Sequence, residues 1–229
     1  MKTITFSGNQ WDVRADRGGP GPNTWDPANV QVDGQGLLHL KTTRITNAKG
    51  DIEWHCAEVS TQQRFGFGRY QFQVTGRIDQ FDRNVVLGLF NHPTPDVGKD
   101  GTNEIDIEFA KWGKETQKNA DYVVLPQGLP DNNRDTDRTF FQFALNGVNT
   151  THRFLWRNDQ VLFQSLHGHR DDDANEFERW LYMPIPPGDL IPQLPTPVHI
   201  NLWLVCGLPP SDLTEVEMVI SQFTFKPLV

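Results

Sequence analysis

Asn103-Glu104-Ile105-Asp106-Ile107-Glu108-Phe109 is the stretch whose reading decides the fold. Its side chains alternate with period two. Ile105, Ile107 and Phe109 fall on one side of an extended chain, and Glu104, Asp106 and Glu108 on the other. The apolar set predicts a strand with one face in a sandwich core. The acidic set puts three carboxyls in one row on the opposite face.

Moving outward, alternation recurs. Tyr70-Gln71-Phe72-Gln73-Val74-Thr75 repeats the pattern after Gly66 and Gly68, and Leu37-Leu38-His39-Leu40-Lys41 follows a glycine-rich turn. Residues 85–90 form a near-continuous apolar run, as in a strand covered on both faces. Residues 154–156 and 161–163 flank a polar stretch of four and predict a hairpin. Residues 199–205 and 216–225 predict two late strands. No long segment has a helical period. Short strands at close spacing predict an all-β chain, a sandwich of two sheets, in one domain over residues 1–229. The 19 Gly and 16 Pro suit the many turns this requires. Residues 131–137 and 168–173 are expected to be surface loops, the second a candidate for the rim of a cleft. Residues 184–197 are expected to form a long ordered connection.

The net charge of −8, from 29 acidic and 21 basic residues, argues against nucleic acid as a partner, because phosphate binding needs clustered Lys and Arg. It does not argue against a neutral ligand such as a sugar. No apolar run approaches the roughly 18 residues of a membrane helix, so no membrane partner is expected. Residues 1–6 lack a signal-peptide core, which leaves a cytoplasmic protein or one whose signal has been removed. Cys56 and Cys206 allow one disulfide at most.

Three acids in a row repel, and burial raises the cost, so stability alone rarely selects such a row. A solvated outer face and a calcium site are the plain alternatives. A strand, however, presents its acids in a line and not around a centre, as an ion bound by several oxygens needs. Glycoside hydrolysis supplies a reason for the row. It needs two carboxyls, roughly 5–5.5 Å apart in the retaining mechanism. Glu104 and Glu108 have Cα atoms about 13 Å apart on an extended strand, and side chains leaning inward over a concave sheet close that gap. Asp106, between them, can hold a proton or hydrogen bond and separate the two glutamate pKa values.

With Glu104-Ile105-Asp106-Ile107-Glu108, the chain resembles glycoside hydrolase family 16, whose signature is E-x-D-x-E or E-x-D-x-x-E. The likeness extends to Cys56-Ala57-Glu58-Val59, Phe65-Gly66-Phe67-Gly68-Arg69-Tyr70, residues 151–156 and Asn201-Leu202-Trp203, and is greatest toward bacterial licheninases and laminarinases. It implies a jelly roll of two curved antiparallel sheets (concanavalin A-like), with a sugar cleft across the concave face. It further implies Glu104 as nucleophile, Glu108 as acid/base and Asp106 as assisting acid. Glu58, Trp112, Trp203 and Asn201 are the implied sugar contacts, chosen from a wider set of stacking candidates that includes Trp25, Trp54, Trp156 and Trp180.

The chain also departs from the family. Thr102-Asn103 replaces Trp-Asp before the motif, and Ser60 replaces an Arg two residues after Glu58. Residues 122–125 are apolar where Asn and Tyr meet the sugar. Asn23 stands at the position of the family's cysteine partner to Cys56, so Cys56 is expected to be a free thiol. Ser221 replaces an Asp near the family's calcium site. No cofactor and no metal are therefore expected, and His167-Gly168-His169 reads as loop. The expected partner is a polysaccharide or oligosaccharide, and the resemblance implies a secreted or periplasmic monomer. A transglycosylase, or a carbohydrate-binding protein that kept the fold and lost turnover, are the alternatives to a hydrolase.

Overall fold

The structure is a computed structural model that describes residues 2–126 and 138–228. The loop expected at residues 131–137 lies outside the described residues. The strands are β1 (Lys2–Phe6), β2 (Asn9–Val13), β3 (Arg17–Gly18), β4 (Asn23–Trp25), β5 (Val30–Val32), β6 (Leu38–Thr46), β7 (Ile52–Phe65), β8 (Gly68–Thr75) and β9 (Val85–Asn91). They continue with β10 (Glu104–Phe109), β11 (Ala120–Leu125), β12 (Arg138–Phe141), β13 (Asn149–Trp156), β14 (Val161–His167), β15 (Glu176–Tyr182), β16 (Thr196–Leu204) and β17 (Val216–Pro227).

Two antiparallel sheets result. One runs β1-β2-β7-β16-β9-β10-β11-β12. The other runs β5-β6-β17-β8-β13-β14-β15. The β6–β7 hairpin joins them, and β4 adds a short parallel pairing to β7. The alternation of the acidic strand decides which face goes where. Ile105, Ile107 and Phe109 are fully buried between the sheets, with Ile200, Leu202 and Leu204 of β16 and Leu87 and Leu89 of β9 beside them.

Two features fix the packing, one between the sheets and one within the second. Phe109 packs on the ring of His152 in the second sheet at 4.5 Å. His152 bonds Ser165 through Nδ1 (2.7 Å) and Thr150 through Nε2 (2.8 Å), while the Tyr122 hydroxyl of the first sheet donates to the same Ser165 oxygen at 2.7 Å. Burial holds the His152 pKa down to about 3, so the ring stays neutral and both nitrogens are used as hydrogen-bonding partners. The second feature is Gly68, where β8 meets β17. A Cβ there would lie 2.4 Å from the Phe225 ring and 2.6 Å from the Lys226 carbonyl.

The expected hairpin at 154–163 is present, closing with Trp156 opposite Val161. Residues 184–197 are less of a connection than expected. They contain a short helix, α1 (Pro187–Leu190), and their end already belongs to β16, whose first residue is Thr196. The 168–173 loop does not line the cleft on the first sheet. Asp171 accepts from Gln71 and Arg69 of β8, and Asp172 from Arg153 of β13, which ties the loop to the second sheet.

Candidate active site

The register of the first sheet lines up side chains from strands far apart in sequence. Glu58 (β7) lies opposite Asn201 (β16), Asn201 opposite Gly88 (β9), Gly88 opposite Glu108 (β10), and Glu108 opposite Asp121 (β11). The next row on this face carries His199, Phe90 and Asp106. Together with Glu104, Trp112 and Trp203, these residues other than Gly88 and Asp121 line a cleft of about 530 Å³. All of the residues expected at the site from sequence therefore share one cleft: Glu104, Asp106, Glu108, Glu58, Trp112, Trp203 and Asn201. Of the other tryptophans, Trp25 and Trp156 are buried, Trp180 stacks on Phe163, and Trp54 lines a separate groove.

The backbone frame of the acidic strand is built by asparagines. Asn91 accepts the Ile105 N–H at 2.7 Å and donates to Thr196 at 2.8 Å. Asn103, at φ 53, turns the chain into the strand and donates its N–H to the Pro126 carbonyl. This left-handed conformation is one that Asn tolerates better than most residues. It is the structural reason for Asn before the first glutamate.

Gly88 makes the floor. The Oδ1 of Asn201 accepts the Gly88 N–H at 3.1 Å, and any Cβ on Gly88 would stand 2.5 Å from that oxygen. Asn201 in turn approaches Glu58 at 3.4 Å, which is also held by His199 Nδ1 (3.2 Å) and Arg14 Nη1 (3.1 Å). Burial pushes the Glu58 pKa up, but the bonds and charges of His199 and Arg14 outweigh it and leave the carboxylate below its ordinary value. Arg14, which also lies 4.5 Å over the ring of Trp25, supplies from β2's end the guanidinium that Ser60 does not. Its role was not apparent from sequence, because the contact spans 44 positions.

The three acids behave differently from Glu58. Burial raises all of them. Glu104 rises to about 8, through burial and the charge of Glu108, against a hydrogen bond from Asp106. Asp106 is pushed well up by burial and by its bond and charge contact with Glu104. Glu108 is pushed well up by burial, then by the charges of Asp121 and Asp106, with Arg138 opposing. Asp106 directs its hydrogen bond toward Glu104, and burial holds all three carboxyls above their ordinary values.

At one end of the cleft Trp112 and Trp203 meet edge to face at 6.1 Å. Trp112 Nε1 donates to Asp121 Oδ1 at 2.9 Å, and Arg138 Nε lies 3.4 Å from Asp121 Oδ2 and 5.5 Å over the Trp112 ring. Of residues 122–125, Tyr122 and Val124 enter the core, whereas the apolar Val123 and Leu125 share the face of Asp121, opposite Asp106 and Glu104. At the other end His92 lies 3.8 Å from Glu104 and 3.2 Å from Asp100, and burial and the nearby His199 lower its pKa. Ligand atoms of His92, Asp100 and Glu104 come within 4.8 Å of one another, which makes them the one group among the described residues able to gather around a cation. Asp100 is almost fully exposed, and Glu104 is engaged by Asp106.

Both cysteines are free. Cys56 Sγ donates to Asn23 Oδ1 at 3.3 Å, and burial pushes its pKa up to about 12. Asn23 also donates to the carbonyls of Pro20 and Leu204, and so fastens the loop that borders the cleft.

The fold is that of glycoside hydrolase family 16. A β-glucanase of Bacillus licheniformis is similar over 95% of this chain and 92% of its own, with a TM-score of 0.67 and 21% identity. A family 16 endo-glucanase from Bacteroides ovatus is similar over 94% of each chain, with a TM-score of 0.62 and 13% identity. The Crh5 transglycosylase shares the fold over the whole of this chain and 84% of its own, with a TM-score of 0.62 and 15% identity. No protein-family model matches the chain, and no curated protein matches it by sequence.

Proposed function

We propose that this protein is a retaining, endo-acting glycoside hydrolase that cuts a β-linked polysaccharide of the glucan or galactan type. The observation that carries the reading is the row Glu104-Asp106-Glu108 on the floor of an open cleft, with all three carboxyls raised above their ordinary pKa by burial. A binder gains nothing from three buried, mutually repelling acids. A double displacement needs one carboxylate and one carboxylic acid side by side.

In the first step a Glu104 carboxylate oxygen attacks the anomeric carbon. The bond from that carbon to the leaving oxygen breaks, and the leaving oxygen takes the Glu108 proton. Asp106 donates a hydrogen bond to Glu104, which steadies the carboxylate before attack. In the second step Glu108, now ionised, takes a proton from water, and the hydroxide oxygen displaces Glu104 from the sugar. Two inversions give net retention. Asn201 and Glu58, two and three strands across the sheet from Glu108, are placed to bond sugar hydroxyls, and the Trp112–Trp203 pair offers apolar ring faces at the cleft's end.

Release of reducing ends from a panel of β-glucans, galactans and carrageenans tests this, with the anomer of the first product followed by proton NMR. Internal cleavage giving the β-anomer first is expected. First appearance of the α-anomer would overturn the retaining mechanism. Binding to a glycan without any release would return the protein to the class of carbohydrate-binding proteins. Transfer to an added oligosaccharide in preference to water would identify a transglycosylase using the same residues.

A further inference from the structure

Asp121 is the acid that the motif does not contain. It is fully buried, on the strand next to the catalytic row, and directly opposite Glu108 in the register. Opposed residues of an antiparallel pair have Cβ atoms about 4.5–5.5 Å apart, so the two carboxyls are close neighbours across the strands. Asp121 is held in place by the Trp112 indole N–H at 2.9 Å and by Arg138 at 3.4 Å, and its Oδ2 accepts no hydrogen bond. A buried carboxylate whose Oδ2 meets its cation only at 3.4 Å, with no hydrogen bond, is costly unless it acts on something.

We infer that Asp121 is a positioning residue for the reaction proposed above: its negative charge, fixed by Arg138 and Trp112, keeps the proton on Glu108 until the leaving group takes it. The inference rests on that reading for its catalytic meaning, though not for the contact itself. The groups facing Glu108 are few. Its own strand contributes Asp106 and, farther along, Glu104; β11 contributes Asp121, and β12 contributes Arg138. The neighbour on β9 is Gly88, which has no side chain, and the neutral Asn201 covers it. After burial itself, Asp121 is the largest influence raising the Glu108 pKa. Asp121 titrates near 6, because burial outweighs Arg138 and Trp112. Its charge is therefore present at neutral pH and fades in acid.

The test replaces charge while keeping shape. Asp121→Asn still accepts the Trp112 N–H but carries no charge, and it leaves Arg138 unpaired. Both changes favour ionised Glu108. Proteins labelled with ¹³C at glutamate carboxyls, with the Glu108 signal assigned by its absence in Glu108→Gln, give the midpoint directly. The Glu108 midpoint is expected to fall by about one pH unit or more in Asp121→Asn, and the basic limb of kcat/KM to move down with it. Arg138→Gln, which removes a positive neighbour, should not lower the midpoint. An unchanged Glu108 midpoint in Asp121→Asn overturns the inference. So does a fall of equal size in both variants, which would mean entry of water and not charge. If the midpoint falls in Asp121→Asn alone but the wild-type protein cuts no glycan, the carboxyl pair stands and the hydrolase reading fails.

Discussion

At the scale of single residues, the proposed reaction divides the site into groups that react and groups that hold them. Glu104→Gln removes the oxygen proposed to attack but leaves Ile105, Ile107 and Phe109 in the core. Turnover is expected to drop by about a thousandfold or more, with a melting temperature no lower than wild type. A variant with near-wild-type turnover would remove Glu104 from the nucleophile's place. The acidic row was legible in the sequence because period two is a local property of one strand. Asp121 and Arg14 were not. Asp121 is 13 positions from Glu108 along the chain, and only strand register makes them neighbours. Arg14 reaches Glu58 across 44 positions, and nothing in the sequence near either residue signals the pair. Asn23 was legible only as a substitution, and the contact with the Cys56 thiol gives that substitution its meaning: an amide oxygen accepts from a thiol that has no sulfur to bridge.

At the scale of elements, two glycines separate function from stability. Gly88→Ala on β9 puts a methyl group against Asn201, whose amide links the floor to Glu58. Asn201 must move, so KM should rise several-fold while the melting temperature changes little. Gly68→Ala puts a methyl group against the Phe225 ring and the Lys226 carbonyl, where backbone cannot yield. Overpacking of this kind costs about 1–3 kcal/mol, so Gly68→Ala should melt several degrees lower and keep its KM. Equal behaviour of the two variants in both measurements would refute the division. The long strands were legible from alternation, β8 and β10 above all. The short ones were not: β3 and β4 have two and three residues and draw their order from pairing with each other and with β7. The far end of β16 was hidden because Thr196 and Pro197 read as part of a proline-rich connection.

At the scale of the whole molecule, the cleft costs stability in a pH-dependent way. The row's carboxyls bind protons more tightly folded than unfolded, since their folded pKa values lie above the unfolded values of about 4. Below that pH both states are protonated and the row is tolerated. As pH rises toward 8 and beyond, the folded state must hold protons or bury charge, and stability is lost. Glu108→Gln should therefore melt with the wild type near pH 4 and above it near pH 8. A difference of about 1 kcal/mol corresponds to roughly 2–4 °C for a chain of this size. An equal gap at both pH values would mean that the row's ionisation does not govern stability. The sandwich was legible from strand spacing and the family whose fold it shares from the motif, whereas the loops that shape the cleft carry no periodic signal. Double displacement by Glu104 and Glu108 is tested most directly by Glu108→Ala with an aryl β-glycoside whose phenol is acidic. Such a leaving group needs little protonation, so a burst of phenol should precede slow turnover as the glycosyl-enzyme accumulates. Added azide, which needs no deprotonation, should restore turnover and give the β-glycosyl azide. An α-glycosyl azide would mean that Glu108 is the nucleophile, and would contradict the assignment of both glutamates.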